Sequence, residues 1–121
     1  MIRALLLLYL VVLAVPASAA DCLWVVNWKR SQHGLYALQP DATLQAWAQR
    51  KANLQASRGR MGHLLRGAYP GRNEGVGMVS HSDPQGRSVL ACTMTTRRHR
   101  FAGAACAVGR NGRTYYCVIY R

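Results

Sequence analysis

The C-terminal segment 105–121 contains the pattern that most constrains the fold. Apolar residues alternate with other residues on both sides of Asn111-Gly112, a dipeptide strongly preferred in two-residue β-hairpin turns. If these two residues form the turn, Cys106 and Cys117 lie equally far from it and face each other across the strands. We therefore predict a terminal antiparallel hairpin with a disulfide between Cys106 and Cys117.

The N-terminal residues predict an export signal. Arg3 gives a positively charged start, residues 4–15 form an apolar run, and residues 17–19 (Ala-Ser-Ala) match the pattern that signal peptidase recognises. As a helix, this run would extend about 18 Å, which is short of the roughly 30 Å hydrocarbon core of a bilayer. We therefore expect residues 1–19 to be removed. The product is a secreted or periplasmic domain over residues 20–121, with no transmembrane span.

Export also determines how the four cysteines are interpreted. An exported protein folds in an oxidising compartment, and no Cys-x-x-Cys pair indicates a zinc site or a redox centre. With Cys106 assigned to Cys117, Cys22 and Cys92 form the second predicted disulfide. A bulge at Gly109 would adjust the hairpin geometry, and free buried thiols are the alternative to both bonds.

The remaining segments predict helices and a short strand. Apolar positions in 41–58 recur at the spacing of an amphipathic helix, with Asp41 as its N-cap and Gly59 near its end. We expect an α+β fold in which helices flank a small antiparallel sheet, stabilised by disulfides. The other predicted elements are a helix over 23–31 that stops at His33-Gly34, a strand over 74–80 and a helix over 87–96.

The charge balance predicts anionic partners. Sixteen lysines and arginines stand against four acidic residues, which gives a net charge of +12. Aromatic residues are not interleaved with the basic ones as a base-stacking surface requires, so no specific nucleic-acid binding is expected. A hydrolase built on two carboxylates would have to draw both from a set of four, which are Asp21, Asp41, Glu74 and Asp83.

Short motifs follow one another over nearly the whole of residues 20–121. They are Asn27-x-x-Arg30, Gly34-Leu35, Leu38-x-x-Asp41-x-x-Leu44-x-x-x-Ala48, Met61-Gly-His63, Asn73-Glu74-Gly75-Val76-Gly77, Thr96-x-x-His99-Arg100 and Tyr116-Cys117-Val-Ile-Tyr120. In this order they resemble the CAP superfamily of cysteine-rich secretory, antigen 5 and pathogenesis-related proteins, in its short bacterial single-domain form with one SCP domain. The resemblance implies an α-β-α sandwich, secretion, disulfides and a cleft of histidines and acids that holds zinc in some members.

Carried over by position, the resemblance places His63, Glu74 and His99 in this cleft. His63 and His99 are then the candidate ligands of a divalent cation such as zinc, because neutral imidazoles and a carboxylate bind zinc well. No glutamate lies between Glu74 and His99 to supply the second acid of the longer family pattern, so we assign no catalytic residue. The alternative is that each histidine is a polar cleft residue without metal.

Arginines bracket both histidines in the sequence. If His63 and His99 meet, these arginines form an anion-attracting rim, which opposes binding of a bare dication and favours phosphate, sulfate, carboxylate or lipid headgroups. Solvated surface arginines are the alternative. The predicted rim consists of Arg66, Arg72, Arg97, Arg98 and Arg100.

These observations together predict a secreted, monomeric, CAP-like domain of the non-enzymatic binding type. Its expected ligand at the cell envelope is an anionic or lipid-like molecule or a divalent metal, and no cofactor is required. The first alternative is a cationic envelope-binding or antimicrobial protein that acts through its whole basic surface. The second alternative is a metal-assisted hydrolase.

Overall fold

The fold consists of two helices and one four-stranded sheet. The computed structural model describes residues 21–64 and 71–121. The strands follow one another across the sheet in the order β1-β3-β4-β2. The elements are α1 (Leu23–Gln32), β1 (Gln39–Pro40), α2 (Ala42–Arg58), β2 (Asn73–Val79), β3 (Phe101–Val108) and β4 (Thr114–Tyr120).

The predicted α+β class with a small sheet is confirmed, but the sheet is mixed. Strand β4 pairs antiparallel with both β2 and β3, as the hairpin pattern predicts. The two-residue strand β1 pairs parallel with the start of β3, and the long connection through α2 and β2 allows this direction. The prediction of a purely antiparallel sheet is therefore wrong at this one edge.

Strand β4 is buried along its whole length and separates two apolar clusters. Successive strand residues point to opposite faces of a sheet. Tyr116, Val118 and Tyr120 join the cluster that includes the apolar residues of α1, whereas Cys117 and Ile119 join the cluster that includes those of α2. Two adjacent positions on β4 therefore belong to different sides of the molecule.

Helix α2 begins and ends where the sequence predicts. The Asp41 side chain accepts a hydrogen bond of 2.9 Å from the Leu44 amide and so caps the first turn. Gly59 ends the helix in the left-handed conformation that glycine adopts without strain. Both signals are local, and both are confirmed.

The predicted helix over 87–96 does not form. This segment consists of turns and irregular backbone that passes over β2, where the Cys92 amide donates to the Val76 carbonyl. A side chain at Gly75 or Gly77 would collide with the carbonyl oxygen of Cys92 or Leu90, so these glycines admit the segment. Close backbone contact with β2 outweighs the weak helix preference of the threonine-rich segment.

The predicted hairpin register is wrong by one residue. The turn holds three residues between Gly109 and Arg113, and Gly112 takes a positive φ of 78° within it. Cys117 therefore faces Ala105, while Cys106 faces Tyr116. The two thiols point to opposite faces of the sheet, so the geometric basis for a Cys106–Cys117 disulfide is lost.

Neither predicted disulfide is present in this structure. The second predicted bond, between Cys22 and Cys92, follows only by elimination from the Cys106–Cys117 pairing, so it loses its basis as well. All four cysteines lie in the described residues, and all four are free thiols. The disulfide-stabilised part of the predicted fold is therefore not supported.

The predicted signal segment 1–19 lies outside the described residues. Within residues 21–64 and 71–121, neither helix is long and apolar enough to cross a membrane.

Candidate functional site

Glu74 is the centre of a buried polar cluster between β2 and α2. Its Oε1 lies 2.9 Å from Lys51 Nζ, and its Oε2 lies 3.1 Å from His63 Nδ1. The Cys117 thiol also donates to Oε1 over 3.3 Å. The side chains of Lys51 and Glu74 are only 2% and 5% exposed, while that of His63 is 37% exposed. We call Lys51, His63, Glu74 and Cys117 the Glu74 cluster.

The secondary structure positions each member of this cluster. Lys51 lies three residues after Ala48, on the same buried face of α2, so its side chain points towards the sheet. Glu74 lies two residues before Val76, which pairs with Cys117, so all three point to the α2 side. A buried charge requires a partner, and Lys51 and Glu74 supply one another with it.

The cluster favours structural stabilisation over catalysis. Lys51 also donates to the Leu64 carbonyl over 2.8 Å, so its ammonium bridges α2 to the chain after His63. Burial, and then the nearby Glu74 charge, raise the pKa of the Cys117 thiol. The thiol therefore stays protonated near neutral pH, and a protonated thiol is a poor nucleophile.

The structure brings His63 and Glu74 together but places His99 elsewhere. The His99 ring stacks on the Tyr120 ring, with centroids 5.8 Å apart. Glu74 pairs with Ile119 on β4, the position before Tyr120, so the two histidines lie on opposite sides of the sheet. Because side chains alternate between the two faces of β4, His63 and His99 do not share the cleft that the resemblance predicts.

The Glu74 cluster does not fit a zinc ion. The Lys51 ammonium occupies the carboxylate oxygen that a cation would use, and removing it would leave that charge buried without a partner. His99 is on the other side of the sheet and cannot complete the ligand set. Among residues 21–64 and 71–121, no group of three or more His, Cys, Asp or Glu side chains could hold a metal ion.

A shallow groove at one end of the sheet contains a cluster of positive charge. Its volume is about 570 Å³. All four of its arginines are exposed. We call it the arginine groove, and it is lined by Arg72, Arg98, His99, Arg100, Phe101 and Arg121.

The sheet topology explains why these arginines meet. Arg72 precedes β2, Arg100 precedes β3 and Arg121 follows β4. Because β4 runs antiparallel to both neighbours, its end lies beside the starts of β2 and β3. The Arg72 amide donates to the Tyr120 carbonyl over 2.8 Å, and the Arg100 amide donates to the Arg121 carbonyl over 3.0 Å.

Acidic side chains neutralise little of this charge. Arg121 Nη2 lies 2.6 Å from Asp41 Oδ2, and this is the one ion pair in the described residues that involves an arginine of the groove. The other three acids are engaged elsewhere. Asp21 accepts from the Leu23 amide, Glu74 pairs with Lys51 and His63, and Asp83 accepts from the Tyr116 hydroxyl and two backbone amides.

The arginine groove corresponds in part to the predicted rim. Arg72, Arg98 and Arg100 line the groove around His99, whereas His63 is on the other side of the sheet. Arg97 is exposed next to the groove but does not line it, and Arg66 lies outside the described residues. The sequence reasoning missed Arg121. Its position directly after the last hairpin strand is the signal that could have identified it.

The comparisons with known proteins add no relative. No family model matches the chain, and the search of curated proteins returns no match. The resemblance to the CAP superfamily therefore rests on the motifs in the sequence.

Proposed function

We propose that this protein is a secreted binding domain that holds an anionic ligand of the cell envelope in its arginine groove. The observation that carries the proposal is the arrangement of four exposed arginines around one groove, with Asp41 as their one acidic partner in the part of the chain that the structure describes. Such a concentration of like charge attracts anions and raises their rate of encounter.

The chemistry of the groove fits phosphate or carboxylate groups. A guanidinium group donates two parallel hydrogen bonds to such a group, and it keeps its charge at any physiological pH. Phe101 contributes a ring that is 40% exposed, and the Arg121 guanidinium lies over this ring, 5.4 Å from its centroid. An anionic group attached to an apolar body, as in an acidic lipid, would use both features.

The Glu74 cluster supports a non-enzymatic function. Both carboxylate oxygens already have partners, and the neighbouring thiol is held in its protonated form. Neither the Glu74 carboxylate nor the Cys117 thiol is therefore available as a general base or an activated nucleophile at this site.

Two observations are consistent with membership of the CAP superfamily. Apolar residues of α1 and α2 belong to different clusters on the two sides of the sheet, as an α-β-α sandwich requires. The two motifs that contain His63 and Glu74 meet in space at 3.1 Å. In this proposal the ligand surface lies at the His99 motif, and the Glu74 cluster stabilises the fold.

The test compares two double variants that remove the same charge from opposite ends of the sheet. Arg98→Ala/Arg100→Ala alters the groove, whereas Arg110→Ala/Arg113→Ala alters exposed arginines at the hairpin turn. Binding to vesicles of phosphatidylcholine with phosphatidylglycerol is measured by co-sedimentation at several salt concentrations.

We expect the groove variant to lose about tenfold or more in affinity. A tenfold loss corresponds to about 1.4 kcal/mol of binding free energy. The hairpin variant should lose much less. Equal losses in both variants would contradict the proposal and favour a cationic protein that acts through its total charge. Competition by soluble glycerol phosphate would show that the phosphate group, and not the lipid tail, is recognised.

A further inference from the structure

Two buried thiols lie side by side beneath the turn at Gly86. A Cβ atom built on Gly86 would lie 3.3 Å from Cys22 Sγ and 3.4 Å from Cys106 Sγ. The two sulfur atoms therefore lie within about 7 Å of each other. Gly86 has a positive φ of 67° and no side chain, and this leaves room for the two sulfur atoms.

The backbone also places these two residues on the same side of β3. Asp21 forms an antiparallel bridge with Ala105, and the Cys22 amide donates to the Ala104 carbonyl over 3.1 Å. Cys22 thus lies opposite Ala104, two residues before Cys106, and alternate residues of a strand share one face of the sheet. Cys22 and Cys106 belong to the same apolar cluster.

Neither of the other cysteines competes for these positions. Cys117 points to the α2 side, where it contacts Glu74. Cys92 is exposed and lies over β2, and β4 separates β2 from β3. Among the four cysteines, all of which lie in the described residues, Cys22 and Cys106 are therefore the pair that both approach Gly86 from the same apolar cluster.

We propose that Cys22 and Cys106 form a disulfide bond when the protein folds in an oxidising environment. The oxidant is a small-molecule disulfide such as oxidised glutathione. One thiolate attacks the oxidant and releases one glutathione thiol, and the second thiolate then displaces the other glutathione from the mixed disulfide. The two cysteines lose two electrons and two protons in total, and the oxidant becomes two reduced glutathione molecules. This proposal is independent of the ligand of the arginine groove.

The timing of the reaction follows from burial. Burial raises the pKa of Cys22, and it raises the pKa of Cys106 to about 11. The nearby Asp83 charge contributes to this rise in the pKa of Cys106. Because the thiolate is the reacting form, the folded, reduced protein should be oxidised slowly. The bond should form during folding, before the Gly86 turn covers both sulfur atoms.

The bond would attach the start of α1 to the middle of β3. It would enclose every residue from 22 to 106 in one covalent loop, and closing a long loop restricts the unfolded chain. The oxidised protein should therefore unfold at a higher temperature than the reduced one.

The experiment refolds the reduced chain in a glutathione redox buffer, blocks the remaining thiols with iodoacetamide and maps linked peptides by mass spectrometry. Lysine or arginine residues separate the four cysteines, so each lies in its own tryptic peptide. We expect the peptides of Cys22 and Cys106 to be linked, with Cys92 and Cys117 alkylated. A Cys22–Cys92 link, a Cys106–Cys117 link or four alkylated thiols would overturn the proposal.

Two variants provide the control. Cys92→Ser should keep both the linked peptide and the fall in unfolding temperature on reduction, since Cys92 is exposed and outside the pair. Cys106→Ala should lose both. If Cys106→Ala does not fold, peptide mapping of Cys92→Ser decides the question. A Cys106→Ala variant that still loses thermal stability on reduction would contradict the assignment.

Discussion

At the scale of single residues, the most informative position is Lys51. A lysine on the buried face of an amphipathic helix is rare unless an acid meets it, and Glu74 on β2 is that acid. Lys51 lies on the buried face of α2, but only the fold shows which acid it meets. The ion pair between Lys51 and Glu74 therefore holds α2 against the sheet.

We predict that Lys51→Met destabilises the protein by about 3–5 kcal/mol, because it leaves the buried Glu74 carboxylate without its cation. Urea denaturation at neutral pH measures this change. The double variant Lys51→Met/Glu74→Gln removes both charges and should recover a large part of the loss. A double variant that is as unstable as the sum of the single ones would show that the ion pair itself is unimportant.

Asp83 gives the protein a pH dependence at the acidic end. Burial raises the pKa of Asp83, but hydrogen bonds from the Tyr116 hydroxyl and from the Ser88 and Arg87 amides outweigh it and hold the pKa below its usual 3.8. The unfolded chain therefore binds a proton more readily than the folded protein does. The stabilisation is present above the usual pKa and is lost as the pH falls through the lower, folded value.

The free energy of unfolding should accordingly fall as the pH decreases below about 4. Asp83→Asn should be less stable at neutral pH and should show a weaker pH dependence in this range. Denaturation curves between pH 2.5 and 6 measure both effects. An unchanged pH profile in Asp83→Asn would mean that other carboxyl groups account for the acid sensitivity.

At the scale of elements, local signals determine α2. Its first turn depends on Asp41, which uses one carboxylate oxygen for the cap and the other for the ion pair with Arg121. The cap acts through a hydrogen bond to the backbone, while the ion pair involves an arginine side chain that is 48% exposed. Exposed ion pairs contribute little to stability, so the cap should dominate.

We predict that Asp41→Ala costs about 1 kcal/mol of stability through loss of the cap. Asp41→Asn should cost less, since asparagine also caps helices well. The free energy of unfolding from urea titration distinguishes the two variants. Equal losses in both would mean that the ion pair with Arg121, and not the cap, stabilises this end of α2.

Elements without strong local signals were predicted less well. The segment 87–96 has a weak helical pattern, and its contact with the glycines of β2 holds it in an irregular path. The hairpin was predicted correctly as a hairpin, but one extra residue in its turn exchanged the faces on which its partners lie. Turn geometry set this register, and the Asn-Gly dipeptide is compatible with more than one turn length.

At the scale of the whole molecule, sheet topology determines which charges meet. The arginines of the groove come from three separate segments of the sequence, and the antiparallel pairing of β4 brings these segments to one end of the sheet. The same sheet separates His99 from His63, because Glu74 and Tyr120 use opposite faces. Its topology thus assembles the proposed binding surface and divides the predicted metal cleft.

The sequence by itself determined the fold class, both helices, the existence of the terminal hairpin and the excess of positive charge. Each of these depends on neighbouring residues or on composition, which a single chain displays directly. The tertiary structure alone decided the hairpin register, the Lys51–Glu74 pair, the meeting of Cys22 with Cys106 and the arginine groove. Each of these depends on which face of a strand a side chain uses and on which strand ends lie together. A register shift of one residue moves every side chain to the other face, and strand order decides which ends meet, although the local sequence pattern stays the same.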